Sequence, residues 1–238
     1  EDVARRISPR TRAVVLASPS NTTGATLDAA EARSLFELCS THGIRLICDE
    51  AYTDFRFTAD HHALPADIDP ILSTVVRVRS ASKSWALCGW RLGWITADAS
   101  LVARIAHTHS FLLNPASGPA QAALCALPEV PADYQEKARS IVEKRMNALC
   151  SALGRAGLSV TRPQGGFYVW LRVKDLDPDG TDDTVAWGIE VARRWGVGLW
   201  PGEDFGGPSH VRIAVTAPTE NEWHASLQRL VGVLTQTR

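Results

Sequence analysis

The sequence predicts an α/β protein, with a central, mostly parallel sheet flanked by helices and a smaller α+β C-terminal domain after it. Three observations carry that prediction. Short apolar runs alternate with segments of helical spacing through the first part of the chain, the pattern of parallel strands joined by crossover helices. Each run ends in a loop rich in polar side chains, where ligands sit in such sheets. Beyond Pro128 and Pro131 the strict alternation is lost, and a long amphipathic segment opens a second texture. The expected division is residues 1–130 and 131–238.

Ala13–Ala17 is an apolar run that suits a buried strand, stopped by the turn-forming stretch Ser18-Pro19-Ser20-Asn21-Thr22-Thr23-Gly24. Thr26 or Asp28 stands where a helix cap belongs, ahead of Ala29, Ala32, Leu35, Phe36 and Leu38 at helical spacing. Gly43 occupies the C-terminal capping position. Residues 44–48 form a second run, leading into Asp49-Glu50-Ala51-Tyr52. A polar loop with His61 and His62 precedes a third run at 74–78, which delivers Ser80-Ala81-Ser82-Lys83, and residues 92–96 read as a fourth strand. In the second domain, residues 133–153 form an amphipathic helix. Extended candidates follow at 158–161 and 166–173, then a helix at 182–195, a strand at 211–215 and a terminal helix from Pro218.

Composition narrows the function classes. The 238 residues carry 25 Lys plus Arg against 26 Asp plus Glu, a formal charge of −1, which excludes electrostatically driven nucleic-acid binding. A hydrophobic share of 45% with 21% charged residues is that of a globular protein. The five cysteines are odd in number and contain no Cys-x-x-Cys pair, so neither a disulfide framework nor a zinc site is expected. No run has the length of a membrane helix and no signal peptide opens the chain, which reads as cytoplasmic. The chain begins with Glu1 and its only methionine is Met146, so it is expected to be trimmed, cleaved or a fragment.

Only four lysines are present: Lys83, Lys137, Lys144 and Lys174. Lys83 alone falls in a small-residue turn between two apolar strands, where partial desolvation favours Schiff-base chemistry. Ser80, Ser82 and Arg91 form a natural cradle for a phosphate ester. Asp49 ends an apolar strand and calls for a cationic or proton-donating partner, and Tyr52 brings a phenol to the same end. Each feature alone also has an ordinary explanation: turn serines, a surface arginine, an aspartate capping its own turn. His61 and His62 are adjacent and point apart in an extended chain, so no metal pair and no role is assigned to them.

Together these stretches carry a resemblance. Ser18 to Gly24, Asp49-Glu50-Ala51-Tyr52 and Ser80-Ala81-Ser82-Lys83-Ser84-Trp85-Ala86-Leu87-Cys88-Gly89-Trp90-Arg91-Leu92-Gly93 are similar to the signature loops of fold-type I pyridoxal-phosphate (PLP) aminotransferases of class I/II. Gln164-Gly165-Gly166-Phe167-Tyr168 and Val211-Arg212-Ile213-Ala214 resemble that family's small-domain motifs. The resemblance implies an incomplete PLP-transferase large domain plus the small domain, with PLP as cofactor. Lys83 would form the internal aldimine and shuttle the proton, and Asp49 would keep the pyridinium nitrogen protonated. Tyr52 and Asn21 would bond the phenolic oxygen of the cofactor, while Ser80, Ser82 and Arg91 would bind its phosphate. Arg212, with Asn21, would hold the substrate carboxylate.

The implied reaction moves an amino group between an α-amino acid and a 2-oxo acid. A lyase, decarboxylase or cyclase on the same scaffold, or an inactive fragment, are the alternatives. A homodimer is implied as well. Thr22 stands where the family usually has proline, which frees φ in that turn. The family's upstream part is not represented, so strands should be missing on both flanks of the sheet and both of its edges should be open.

Overall fold

The computed structural model describes residues 1–58, 68–69, 72–113, 115–176 and 183–236. His61 and His62 lie outside the described residues. Two units are resolved by internal contacts: Glu1–Ser20 with Ala25–Lys137, and Asn21–Gly24 with Ala138–Arg238.

In the first unit, α1 (Asp2–Arg6) leads to β1 (Ala13–Ala17), α2 (Ala29–Thr41) and β2 (Arg45–Asp49). The α2 helix starts where it does because Asp28 accepts from the Glu31 amide while Glu31 reaches back to the Asp28 amide, a reciprocal capping box. Gly43, at φ 62°, ends it in the left-handed conformation that glycine adopts without strain. β2 pairs in parallel with β1 (Ala17 opposite Asp49) and with β3 (Val75–Ser80; Asp49 opposite Val78). Cys39, Ile44, Leu46, Cys48 and Val75 form the buried core between helix and sheet, with Leu16, Leu35 and Phe36 packed against it. The start of β3 is pinned by Asp69, whose carboxylate accepts from the amides of Ser73, Thr74 and Val75 and from the Ser73 hydroxyl at 2.7–3.0 Å.

The fourth strand, β4 (Gly93–Thr96), runs antiparallel to β3, with Ser80 opposite Gly93. The connection contains only the four-residue α3 (Ala81–Ser84) and a 3-10 turn at Cys88–Trp90. That is too short for the crossover a parallel return needs, so the chain doubles back. The sheet order is β1-β2-β3-β4, which leaves β1 and β4 at its edges. Val15 on one edge and Trp94 and Ile95 on the other are exposed. After β4 come α4 (Ala99–Leu112), capped by Asp98, and α5 (Gly118–Cys125).

The second unit contains α6 (Tyr134–Arg155) from Ala138 onward, then β5 (Tyr168–Arg172), α7 (Val173–Leu176) and α8 (Thr184–Trp195). β6 (Trp200–Pro201), β7 (His210–Ala214) and α9 (Glu220–Gln236) complete it. Residues 158–161 pair with no strand, contrary to expectation, and the sheet is instead β5-β7-β6, antiparallel throughout. Among the described residues, Met146, Leu149, Leu153, Val169, Val173, Val211, Val215 and Val233 are its fully buried large apolar side chains. Arg145 of α6 ties down the start of α9, donating from Nε to Glu220 at 2.9 Å and from Nη1 to the Ala217 carbonyl at 3.0 Å. The segment Asn21–Gly24 belongs to this unit because the Gly24 carbonyl accepts from the amides of Gln164 and Gly165, both at 3.0 Å. A Cβ at Gly24 would stand 2.5 Å from the Gly165 carbonyl oxygen, and φ there is 67°, so only glycine fits.

Candidate active site

In the first unit the expected residues gather at the C-terminal ends of β2 and β3. Lys83 sits on α3, directly after β3. Ser80 is the N-cap of that short turn, and its hydroxyl accepts from the Ser82 amide at 3.1 Å while donating to the Leu92 carbonyl at 3.4 Å. Ser82 is buried. The Lys83 side chain is half-buried, with Nζ 5.8 Å from the centre of the buried Tyr52 ring, within cation–π range. The Cys88 thiol stands 3.9 Å from the same nitrogen.

Asp49 is exposed, and its Oδ1 accepts from the Ala51 amide at 2.9 Å. The carboxylate therefore takes part in its own turn, as the ordinary explanation held, and the desolvation argued from the apolar strand falls instead on its neighbour. Glu50, only 3% exposed, is completed by a fork of two bonds from Arg77 at 2.9 and 3.1 Å. Arg79 and Asp54 pair beside it at 3.0 Å. Arg91 takes a left-handed backbone conformation, φ 54° and ψ 49°, and donates from Nη1 to the Cys88 carbonyl at 2.8 Å, with its side chain exposed. Its successor Leu92 accepts from the Ala81 amide at 3.1 Å, which brings the Arg91 backbone next to the Ser80–Ser82 turn.

In the second unit the structure brings Asn21 and Arg212 together: Nη1 of Arg212 donates to the carbonyl and to Oδ1 of Asn21, both at 3.3 Å. Aromatic rings crowd the guanidinium, its Cζ 3.8 Å from the centre of Tyr168 and 3.9 Å from that of Phe205, with Trp200 at 5.6 Å. Arg212 is 9% exposed and forms no ion pair among the described residues. Burying a cation without an anion is costly, so this position is electrostatically incomplete until an anion arrives. The ring contacts escaped the sequence reading because they come from tertiary placement: Trp200 stands opposite Arg212 across β6 and β7, Tyr168 lies on β5 opposite Ala214, and Phe205 comes from the turn after β6.

The described residues contain no cluster of three metal-binding side chains and no helix long and apolar enough to cross a membrane.

The first unit thus places a strand-end lysine beside a phenol, and the second holds a buried arginine with no ion pair among the described residues, both on an α/β fold. The particular family follows from comparison. The chain belongs to the class I and II aminotransferases, whose family model matches residues 1–230. Members of that family use pyridoxal 5′-phosphate. The chain is 34% identical over 224 residues to the arginine–pyruvate transaminase AruH of Pseudomonas aeruginosa, covering 92% of this chain and 56% of that protein. It is 32% identical over 237 residues to the aspartate/prephenate aminotransferase of Thermus thermophilus, covering 98% and 59%. Among solved structures, the N-succinyldiaminopimelate aminotransferase of Mycobacterium tuberculosis matches with a TM-score of 0.87 at 25% identity, over 97% of this chain and 60% of that one. The maleate-bound aspartate aminotransferase of Thermus thermophilus matches at 0.83 and 30%, over 97% and 59%. The fold is thus that of the fold-type I aminotransferases, and the chain spans less than two thirds of the length of the relatives it matches.

Proposed function

We propose that this chain carries the cofactor-binding and carboxylate-binding residues of a PLP-dependent aminotransferase, one that moves an amino group between an α-amino acid and a 2-oxo acid. The first unit is read as the remainder of the PLP-binding large domain and the second as the small C-terminal domain. The observation that carries the reading is the Lys83 amine, half-buried at the exit of a parallel strand and within cation–π distance of Tyr52.

The residues present fit the cofactor. Arg91, Ser80 and Ser82 supply a cation and two hydroxyls for a phosphate, and Asp49 supplies an exposed strand-end carboxylate for a protonated ring nitrogen. When bound, PLP supplies an electron sink next to the substrate α-carbon. Lys83 would hold and move the proton at that carbon. Tyr52 and Asn21 would each offer a hydrogen bond to the phenolic oxygen of the cofactor, and Arg212 would orient the amino acid by its carboxylate. The whole protein is read as a cytoplasmic homodimer; the five free thiols fit a reducing compartment.

Borohydride reduction after mixing the protein with PLP, followed by peptide mapping, tests the assignment. Cofactor mass is expected on Lys83, and attachment only at Lys137, Lys144 or Lys174, or nowhere, overturns it. A panel of amino acids with 2-oxoglutarate then separates reactions on the scaffold. New glutamate is the expected product; ammonia or pyruvate formed without an acceptor identifies a lyase instead. A native mass of one chain overturns the homodimer.

A further inference from the structure

The turn after Lys83 folds back on itself. The Trp85 and Leu87 amides both donate to the Ala81 carbonyl, at 3.1 and 3.3 Å, and Ala86 adopts φ 55° to allow it. This returns Cys88 over α3, where its thiol donates to the Ser82 carbonyl at 2.9 Å, with the sulfur 3.9 Å from Lys83 Nζ. Cys88 is exposed and Lys83 half-buried, so a small solute in water reaches the sulfur while the amine stays beside it.

We propose that Lys83 and Cys88 form a modification site at which a peroxide joins the amine to the thiol through a reversible nitrogen–sulfur bond. The thiolate attacks the peroxide: an S–O bond forms, the O–O bond breaks, and one water leaves. The neutral Lys83 amine then attacks that sulfur. An N–S bond forms, the S–O bond breaks, and a second water carries away the hydroxyl with a proton from nitrogen. Sulfur loses two electrons and hydrogen peroxide gains them. Two equivalents of thiol reverse the link, the first displacing the amine to give a mixed disulfide and the second reducing it. A sulfur-bound Lys83 cannot hold a cofactor, so the link is an off state for the enzyme; that consequence, unlike the link itself, rests on the function proposed above.

The other cysteines show why this one is distinct. Cys39 and Cys48 are buried in the core of the first unit, and burial, with Glu50 adding to it, pushes the Cys48 thiol up to about 12. Burial also raises Cys150. Cys125 is exposed, but among the described residues no lysine amine stands beside it. Among the described residues, Cys88 alone combines access with a lysine amine in reach.

The test is stoichiometric hydrogen peroxide on the purified protein, followed by trypsin. Cleavage after Arg79, Lys83 and Arg91 normally gives peptides 80–83 and 84–91. The link predicts a single uncut 80–91 peptide, lighter by two hydrogens, that dithiothreitol converts to the normal pair. Cys88→Ser removes this species, and Lys83→Arg leaves Cys88 as a sulfenic acid that dimedone captures. Dimedone capture at Cys88 in the unsubstituted protein without any linked peptide overturns the proposal, as does a Cys88 disulfide in its place. Prior saturation with PLP is expected to cut the yield of linked peptide several-fold. An undiminished yield supports the link and counts against Lys83 as the cofactor lysine, so the two ideas fail separately.

Discussion

Two arginines of the second unit are buried to almost the same degree, Arg145 at 8% exposure and Arg212 at 9%, and their surroundings differ in one respect. Arg145 has a carboxylate. Glu220 takes two of its N–H groups, the Ala217 carbonyl a third, and the seam between α6 and α9 is closed electrostatically. Arg212 has no carboxylate partner among the described residues; it has two long bonds to the neutral oxygens of Asn21 and two aromatic rings within 4 Å. Rings stabilise a guanidinium through its charge but offer no oxygen to the edge that recognises a carboxylate. A completed arginine holds a fold together, whereas an incomplete one at equal burial is what the proposed carboxylate-binding role requires.

The sharpest way to break this comparison is to remove each charge in turn. Arg212→Leu is expected to lower kcat/KM by roughly 10²–10³-fold, the loss of a bidentate charge-assisted pair worth about 3–4 kcal/mol. Its thermal midpoint should stay put or rise, because an uncompensated buried cation is gone. Arg212→Lys should recover little, since an ammonium cannot make the two-pronged contact. A midpoint that collapses in Arg212→Leu would make the residue structural. Arg145→Met should do the reverse, costing about 2–3 kcal/mol in denaturant unfolding while the KM for the amino acid stays unchanged. Glu220 is largely exposed, so Glu220→Gln should cost less, about 1 kcal/mol.

How much of this was legible beforehand depends on range along the chain. Asn21, Asp49 and the Ser80–Lys83 turn follow apolar runs whose strand character is local, so their positions at strand ends were readable. Only family resemblance singles out Arg212 in the sequence, because the burial and ring contacts that mark it in space come from distant residues. The Lys83–Cys88 contact was invisible for a similar reason: it depends on a backbone reversal through the left-handed Ala86, which spacing does not reveal. The antiparallel course of β4 follows from the length of its connection, which the apolar pattern alone does not encode. The apolar run before Asp49 suggests a desolvated carboxylate, but the strand ends there and the side chain is exposed.

Asp69 in the first unit sharpens the comparison from the opposite sign. It is a carboxylate with 5% exposure, completed by amides and a hydroxyl rather than by a cation. Desolvation pushes its pKa up, but the hydrogen bonds from Val75, Thr74 and Ser73 outweigh that and hold it below the ordinary aspartate range. The folded-state value is therefore depressed, and the stabilisation is present above the unfolded-state pKa near 4 and is lost as pH falls through the lower folded value. Asp69→Ala should cost about 1–3 kcal/mol near neutrality, since it strands three amides at the start of β3. Below pH 4 the gap between variant and unsubstituted protein should narrow. A gap that is constant with pH would mean that charge contributes nothing there.

The smallest effect belongs to Asp28, the same chemistry at the surface. Its carboxylate accepts one amide of α2 at 2.8 Å in a capping box with Glu31, but the side chain is exposed, so water replaces the lost partner. Asp28→Ala should cost about 1 kcal/mol, and Asp28→Ser should recover most of it because a hydroxyl caps nearly as well. Both belong to a helix that packs on the sheet behind Asp49 rather than to the site, so transamination rates at low temperature should be unchanged. If Asp28→Ala instead costs as much as Asp69→Ala, the number of amides left without an acceptor, and how deeply they lie, is not what ranks these two carboxylates. The contrast drawn between Arg145 and Arg212, which also turns on how a buried charge is completed, would then need a different explanation.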